Sequence, residues 1–241
     1  MSTQEEALKA VHAALERERR INLHQHPIEM QFENDDLVLA GEVGNIAAKK
    51  LALELAAAAP GVGGIVDRLR VVPAERMGDG AILDHVRDAL LQEPELSICD
   101  IRVWEKGHEE TIRETTVELA CVIQISVADG VVTLDGQVDS WGRKRMAGAL
   151  AWWVPGTRDV VNALEILPPE EDSDDEVTNA IQFLLEKDPF VNESQIRVTT
   201  RNYVVTLEGE VAKEKEKEMA EADAWFVFGV DKVVNRLQVQ A

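Results

Sequence analysis

Few residues in this chain combine the type and the spacing that chemistry requires. His24 and His26 form a His-x-His pair, which on a strand would project to one side and offer two zinc ligands. No third ligand has a place in the pattern, so a surface pair is the plainer reading. His85 and His108 stand alone, with no nucleophile or carboxylate at a defined offset. Asp129, Asp135 and Asp139 cluster around a turn, where carboxylates and turn carbonyls could hold a cation. Their spacing is not that of an EF-hand loop, and Asp in a turn more often accepts from nearby backbone N–H groups. The chain carries no P-loop, dinucleotide fingerprint, Gly-x-Ser-x-Gly or His-Glu-x-x-His motif. A non-enzymatic protein without a cofactor is the expectation.

The most suggestive group is aromatic and basic. Trp141, Arg143, Lys144, Arg145, Trp152 and Trp153 fall on one predicted helix that Ser140 can cap. Register places Trp153 in the core, and Trp152 lies one residue, about 100°, further round. In that position Trp152 reaches the core edge or the surface, and Trp225 takes the matching place later in the chain. An exposed aromatic here would suit a membrane interface or a protein contact, while packing between domains would hide it equally well. Arg143, Lys144 and Arg145 make this helix the place for an anionic head group, against the plainer reading of a solvated face. Trp141, Arg143, Lys144, Arg145 and Trp152 are therefore the candidate lipid- or partner-binding residues.

The elements that position them come from a threefold repeat. Its clearest copy is Val131 to Val138, entered through Asp129-Gly130, and the others are Leu37 to Val43 and Tyr203 to Val211. The central glycines are Gly41, Gly136 and Gly209, and each is followed at one fixed distance by a second, Gly61, Gly156 and Gly229. Apolar residues alternate with polar ones through each copy, as in a half-buried strand. Leu37, Leu39 and Val43 mark the inward row, with Val132, Leu134 and Val138, and Val205, Leu207 and Val211, in the other copies. The central glycine falls on that row, so its missing side chain is expected to let a helix backbone or a bulky ring approach the sheet. A helical stripe precedes each strand pair and another helix follows it, ending at the second glycine. The fold expected is α/β, an α+β sandwich of three tandem α-β-β-α-β units. Each would be a three-stranded mixed sheet covered by two helices.

The units are expected at residues 1–74, 75–168 and 169–241. Pro168-Pro169-Glu170-Glu171-Asp172 is the clearest linker. Unit two carries an insert at about residues 97–119, predicted as a hairpin that lengthens the sheet. In it Ile98 to Trp104 and Thr116 to Val127 are strands, and the charged stretch Glu105 to Thr115 is their loop. An alternative registration matches Ile101-Arg102-Val103 with Ile196-Arg197-Val198 and places the insert between the first two strands. Asn45, Asp79 and Ser173 are candidate N-caps, and Ser2-x-x-Glu5 fits a capping box.

The formal charge of −20 over 241 residues argues against nucleic acid, whose phosphates need a basic footprint. It also opposes long-range attraction to an anionic membrane. Cys99 and Cys121 are the only cysteines; they could be neighbours across a hairpin, but the expectation is a reducing compartment and no structural disulfide. No apolar run reaches transmembrane length, and the N-terminus lacks the pattern of a secretory signal. A cytoplasmic location is expected, or a periplasmic one if a signal peptide has been removed.

Gly130 to Val138, a helix, and then Pro155 to Leu164 resemble the BON domain family, as do Val204 to Val211 with Gly229 to Leu237. Unit one is more divergent, with Asp67 where the others carry Asn162 and Asn235. The resemblance implies a binding module of osmotic or envelope stress adaptation. Phospholipid or membrane-surface binding is the first expectation. A potassium- or other cation-responsive module, monovalent or divalent, and a protein-interaction scaffold are the alternatives.

Overall fold

The computed structural model describes residues 3–116 and 121–240. The chain divides into two compact units, Met1–Val72 and Pro73–Ala241. Its described residues form six α-helices and three mixed sheets, each of three or more strands.

In the first unit, α1 (Thr3–Arg17) and α2 (Ile46–Ala57) pack with a sheet of β1 (Ile28–Glu33), β2 (Asp36–Val43) and β3 (Gly64–Val71). The order β1-β2-β3 has an antiparallel pair and then a parallel one, as a βαβ crossover requires. Val11, Leu15, Leu37, Leu39, Leu51 and Leu69 fill the core. Asn45 caps α2 by accepting from Ala48 N at 2.8 Å. The predicted Ser2 cap lies outside the described residues.

The second unit contains the other two repeats. Its second repeat comprises α3 (Asp79–Gln92), β4 (Asp100–Glu105), β5 (His108–Arg113), β6 (Val122–Ala128), β7 (Val131–Val138), α4 (Trp141–Trp153), β8 (Asp159–Asn162) and β9 (Glu165–Ile166). The third comprises α5 (Asp174–Lys187), β10 (Ile196–Arg201), β11 (Val204–Val211), α6 (Glu214–Phe226) and β12 (Lys232–Val239). The third repeat has the expected three-stranded sheet; the second has the order β5-β4-β6-β7-β8, with β9 also on β7.

The insert adds a hairpin at the sheet edge, but from strands other than those predicted. Its hairpin is β4 with β5, and β4 runs parallel to β6 instead of forming the hairpin with it. The charged stretch read as a loop contains β5, an edge strand exposed along most of its length, so no apolar alternation marks it. Arg113 anchors this strand by donating to the carbonyls of Cys99 at 3.0 Å, Leu91 at 3.4 Å and Leu96. Cys99 and Cys121, read as free thiols, form a disulfide across the β4–β6 junction. They flank the paired residues Asp100 and Val122, so parallel pairing itself brings them together. The bridge closes the insert at a sequence separation of 22. Reduction should therefore lower stability by about 2 kcal/mol. Urea unfolding with and without reductant checks this, and coincident midpoints would refute it.

The central glycines also act differently from expectation. Gly136 has φ +113° and lies opposite Ile123 on β6; a Cβ there would meet the carbonyl oxygen of Val122 at 2.3 Å. Gly209, at φ +138°, lies opposite Ile196 and would strike the oxygen of Gln195. The glycine thus admits the backbone at the start of the preceding strand, not the following α-helix or a ring.

Asp79 is the first residue of α3 and not its cap, which is Gly78. Its carboxylate accepts from Asp129 N at 3.0 Å and Gly130 N at 2.8 Å, tying the helix start to the hairpin turn. Asp174 does the same in the third repeat, with Asn202 N at 2.7 Å and Tyr203 N at 2.9 Å.

The Asp67 substitution has a local explanation. Asn162 Nδ2 donates to Lys144 O at 2.7 Å, and Asn235 Nδ2 to Lys217 O at 3.1 Å, fixing strand to helix. Asp67 cannot donate in this way. Instead the equivalent lysine, Lys49, turns inward, pairs with Asp67 at 2.9 Å and donates to Leu69 O at 2.8 Å.

Candidate functional site

Helix α4 has an unbroken buried run from Arg145 to Ala151. An amphipathic stripe cannot produce that; a helix covered on both sides can. Its own sheet covers one side, and α5 and α6 of the third repeat contact it as well. This explains why the predicted register fails at the aromatic pairs. Trp153 is half-buried instead of sitting in the core, and in the third repeat Trp225 is buried while Phe226 is half-buried. Trp153 Nε1 donates to Asp223 Oδ1 on α6 at 2.9 Å. Trp152 stacks on Phe226, with centroids 5.5 Å apart and planes 14° from parallel.

Near the start of α4 the basic residues diverge. Arg143 pairs with Asp139 and donates to Glu95 O at 2.8 Å. Arg145 is fully buried. Its guanidinium binds Asp172 at 2.6 and 2.8 Å and donates through Nε to Phe228 O at 2.9 Å. The stretch read as a linker is thus pinned at Asp172, and again at Glu170, whose carbonyl accepts from Trp141 Nε1 at 3.2 Å. Lys144 makes no ion pair among the described residues. Its Nζ lies 4.2 Å from the Phe228 ring centroid and 5.6 Å from that of Trp141. Burial first, and then the neighbouring Arg145 charge, lower its pKa, partly offset by Glu165.

Phe228 is the residue that sequence reasoning missed. It is 40% exposed and stacks on Trp141 at a centroid distance of 6.3 Å. One signal was available: Phe228 precedes the second glycine, where the other repeats have Pro60 and Pro155. Trp141, Lys144 and Phe228 together form an outward aromatic surface carrying one ammonium, spanning two repeats. Of the predicted residues, the structure brings Trp141 and Lys144 together there, with Arg145 buried beneath at 5.2 Å from the Trp141 ring centroid. Trp152 lies at the other end of α4, and Arg143 is held by Asp139 and Glu95.

A separate groove of 670 Å³ opens where pairing between β4 and β6 stops, lined by Asp79, Leu83, Trp104, Val127 and Val131. The Asp79 carboxylate in it already holds the turn. Among the described residues, no three His, Cys, Asp or Glu side chains gather where they could hold a metal ion. No helix among them is long and apolar enough to cross a membrane.

The BON domain family model matches residues 3–73, 122–168 and 173–241. Two solved structures of CdsD, a structural protein of the type III secretion system of Chlamydia trachomatis, are similar at 14% identity. The first, of its C-terminal domain, is matched over 97% of each chain with a TM-score of 0.26. The second is matched over 98% of this chain and 92% of that one, with a TM-score of 0.25. No curated protein matches the chain.

Proposed function

Because the chain belongs to the BON domain family, we propose that it is a non-enzymatic binding protein that contacts phospholipid surfaces through Trp141, Lys144 and Phe228. The family is generally non-catalytic and is known for binding membrane surfaces. The observation that carries the reading is the exposed Phe228 ring stacked on Trp141, with an unpaired ammonium beside it. The Phe228 ring offers apolar area to the acyl boundary, and Trp residues favour the head-group level of a bilayer. Lys144 is placed to meet a lipid phosphate as the rings enter. Osmotic or envelope stress is the setting in which such a contact would serve.

The contact is modest in size and mostly apolar, since Arg143 and Arg145 are committed to Asp139 and Asp172. A net charge of −20 repels an anionic surface at long range, and salt screens that repulsion. Flotation with phosphatidylcholine vesicles, alone or with phosphatidylglycerol, tests the proposal. The protein should float with both at physiological salt. Its binding to the anionic vesicles should weaken as salt is lowered. Failure to float with either vesicle at either salt would overturn it. Binding confined to anionic vesicles at low salt would also count against it, because that behaviour needs a basic surface.

A further inference from the structure

The groove beside Trp104 has one wall outside the residues that match the BON family. Trp104, Glu105 and Lys106 come from the insert, while Ser126, Val127 and Val131 come from the repeat. The groove exists because two strands part. β4 and β6 pair in parallel from Asp100 with Val122 to Val103 with Ile125 and no further, although β4 runs on to Glu105 and β6 to Ala128. The β4–β5 ribbon turns at Lys106 and Gly107, with φ of 53° and 83°. A two-stranded ribbon of this kind twists more strongly than a wide sheet.

The parting leaves a rung of the sheet unfilled. Backbone groups alternate in direction along a strand. Asp100 N donates to Cys121 O at 2.9 Å, so Asp100, Arg102 and Trp104 turn their peptide groups toward β6. Ile123, Ile125 and Val127 turn theirs toward β4. The bond that would follow the last pair, from Val127 N to Trp104 O, is not made. On its other edge β6 stays paired with β7 as far as Ala128 with Val131. The Val127 N–H and C=O and the Trp104 C=O therefore face the gap, and no other backbone bond of the described residues takes them up.

Side chains line both faces of the gap. Val127 follows Ile123 and Ile125 on the face covered by α3, whose Leu83 lines the same groove. Trp104, Ser126 and Val131 lie on the opposite face, and Trp104 is 44% exposed.

We propose that this groove binds an extended, apolar peptide segment of a partner protein by strand addition, the segment taking the place that β4 vacates beside Val127. An extended chain fits because it carries N–H and C=O groups in the plane of the sheet and sends alternate side chains to its two faces. One apolar side chain packs on Leu83 and the next on Trp104 and Val131. Charge selects the flanks. Asp79 and Glu105 stand at the groove, Lys106 is paired with Glu105 at 2.7 Å, and the chain carries a net charge of −20. A basic residue beside the apolar ones is therefore favoured.

The test is amide NMR of the full chain, titrated with a capped Lys-Val-Leu-Val-Lys peptide. The amides of Leu83, Val127 and Ala128 and the Trp104 indole should shift together, with a Kd on the order of 1 mM for so short an added strand. The same peptide N-methylated throughout keeps its side chains but cannot donate, and it should shift none of them. Trp104→Ala should weaken binding roughly tenfold by removing one aromatic wall. If that variant fails to fold, the comparison of the two peptides on the native chain decides alone. The proposal is overturned if the groove resonances stay still at saturating peptide, or if the N-methylated peptide moves them as the parent does. Shifts that gather at Trp141 and Phe228 instead would overturn it as well.

Discussion

Gly136→Val is expected to lower the stability of the second unit by about 4 kcal/mol. Two penalties combine. Valine at φ +113° is strained, because its branched Cβ clashes with its own backbone in that region. Its Cβ also lies 2.3 Å from the Val122 carbonyl oxygen, which belongs to a paired strand and cannot rotate away. Separating β6 from β7 to make room would loosen the pairing around which the repeat is built. Gly142→Ala is the control, since nothing lies within 4 Å of the Cβ it would add. That variant should be neutral or raise stability by roughly 0.5 kcal/mol through helix propensity. Urea unfolding midpoints decide the matter, and a native-like midpoint for Gly136→Val would contradict the account.

Arg145→Ala should cost about 3 kcal/mol. The side chain is fully buried, and its loss strands the Asp172 carboxylate and the Phe228 carbonyl together. The figure sits at the low end for a buried pair because Asp172 is 14% exposed and can recruit water. Arg145→Lys should recover little, because a lysine cannot serve both Asp172 and the Phe228 carbonyl with one planar fork. Gly229 makes room for that fork; its missing Cβ would stand 3.3 Å from the guanidinium. Thermal or urea denaturation of the two variants checks this, and a loss below about 1 kcal/mol for Arg145→Ala would mean that the pair is dispensable.

The repeat was legible because its signals are local. Alternation around Gly41, Gly136 and Gly209, the caps Asn45, Ser140 and Ser173, and the helix-ending glycines all act within a few residues of themselves. What failed depends on distant partners. β5 is mostly polar and exposed because it is an edge strand, so its sequence reads as a loop. Trp153 and Trp225 exchanged their expected depths because α4 packs against a second repeat, which no periodicity within α4 encodes. The Cys99–Cys121 bond sits where β4 runs parallel to β6, a pairing of distant segments that the sequence alone did not specify. The aromatic-basic site was half visible. Trp141 and Lys144 could be named from their helix, but Phe228, separated by most of a repeat, could be placed beside them only through the contact between repeats.

The central claim is that this contact creates the membrane-facing surface, and comparing Phe228→Ala with Trp152→Ala tests it most directly. Both remove a half-buried or exposed aromatic involved in stacking, but only Phe228 belongs to the proposed surface. Flotation with phosphatidylcholine vesicles at physiological salt should show roughly tenfold weaker binding for Phe228→Ala, the loss expected for withholding one aromatic ring from the interface. Trp152→Ala, once shown to be folded, should bind like the native chain. Native-like flotation of Phe228→Ala, or a loss confined to Trp152→Ala, would contradict the account and move the site to the opposite end of α4.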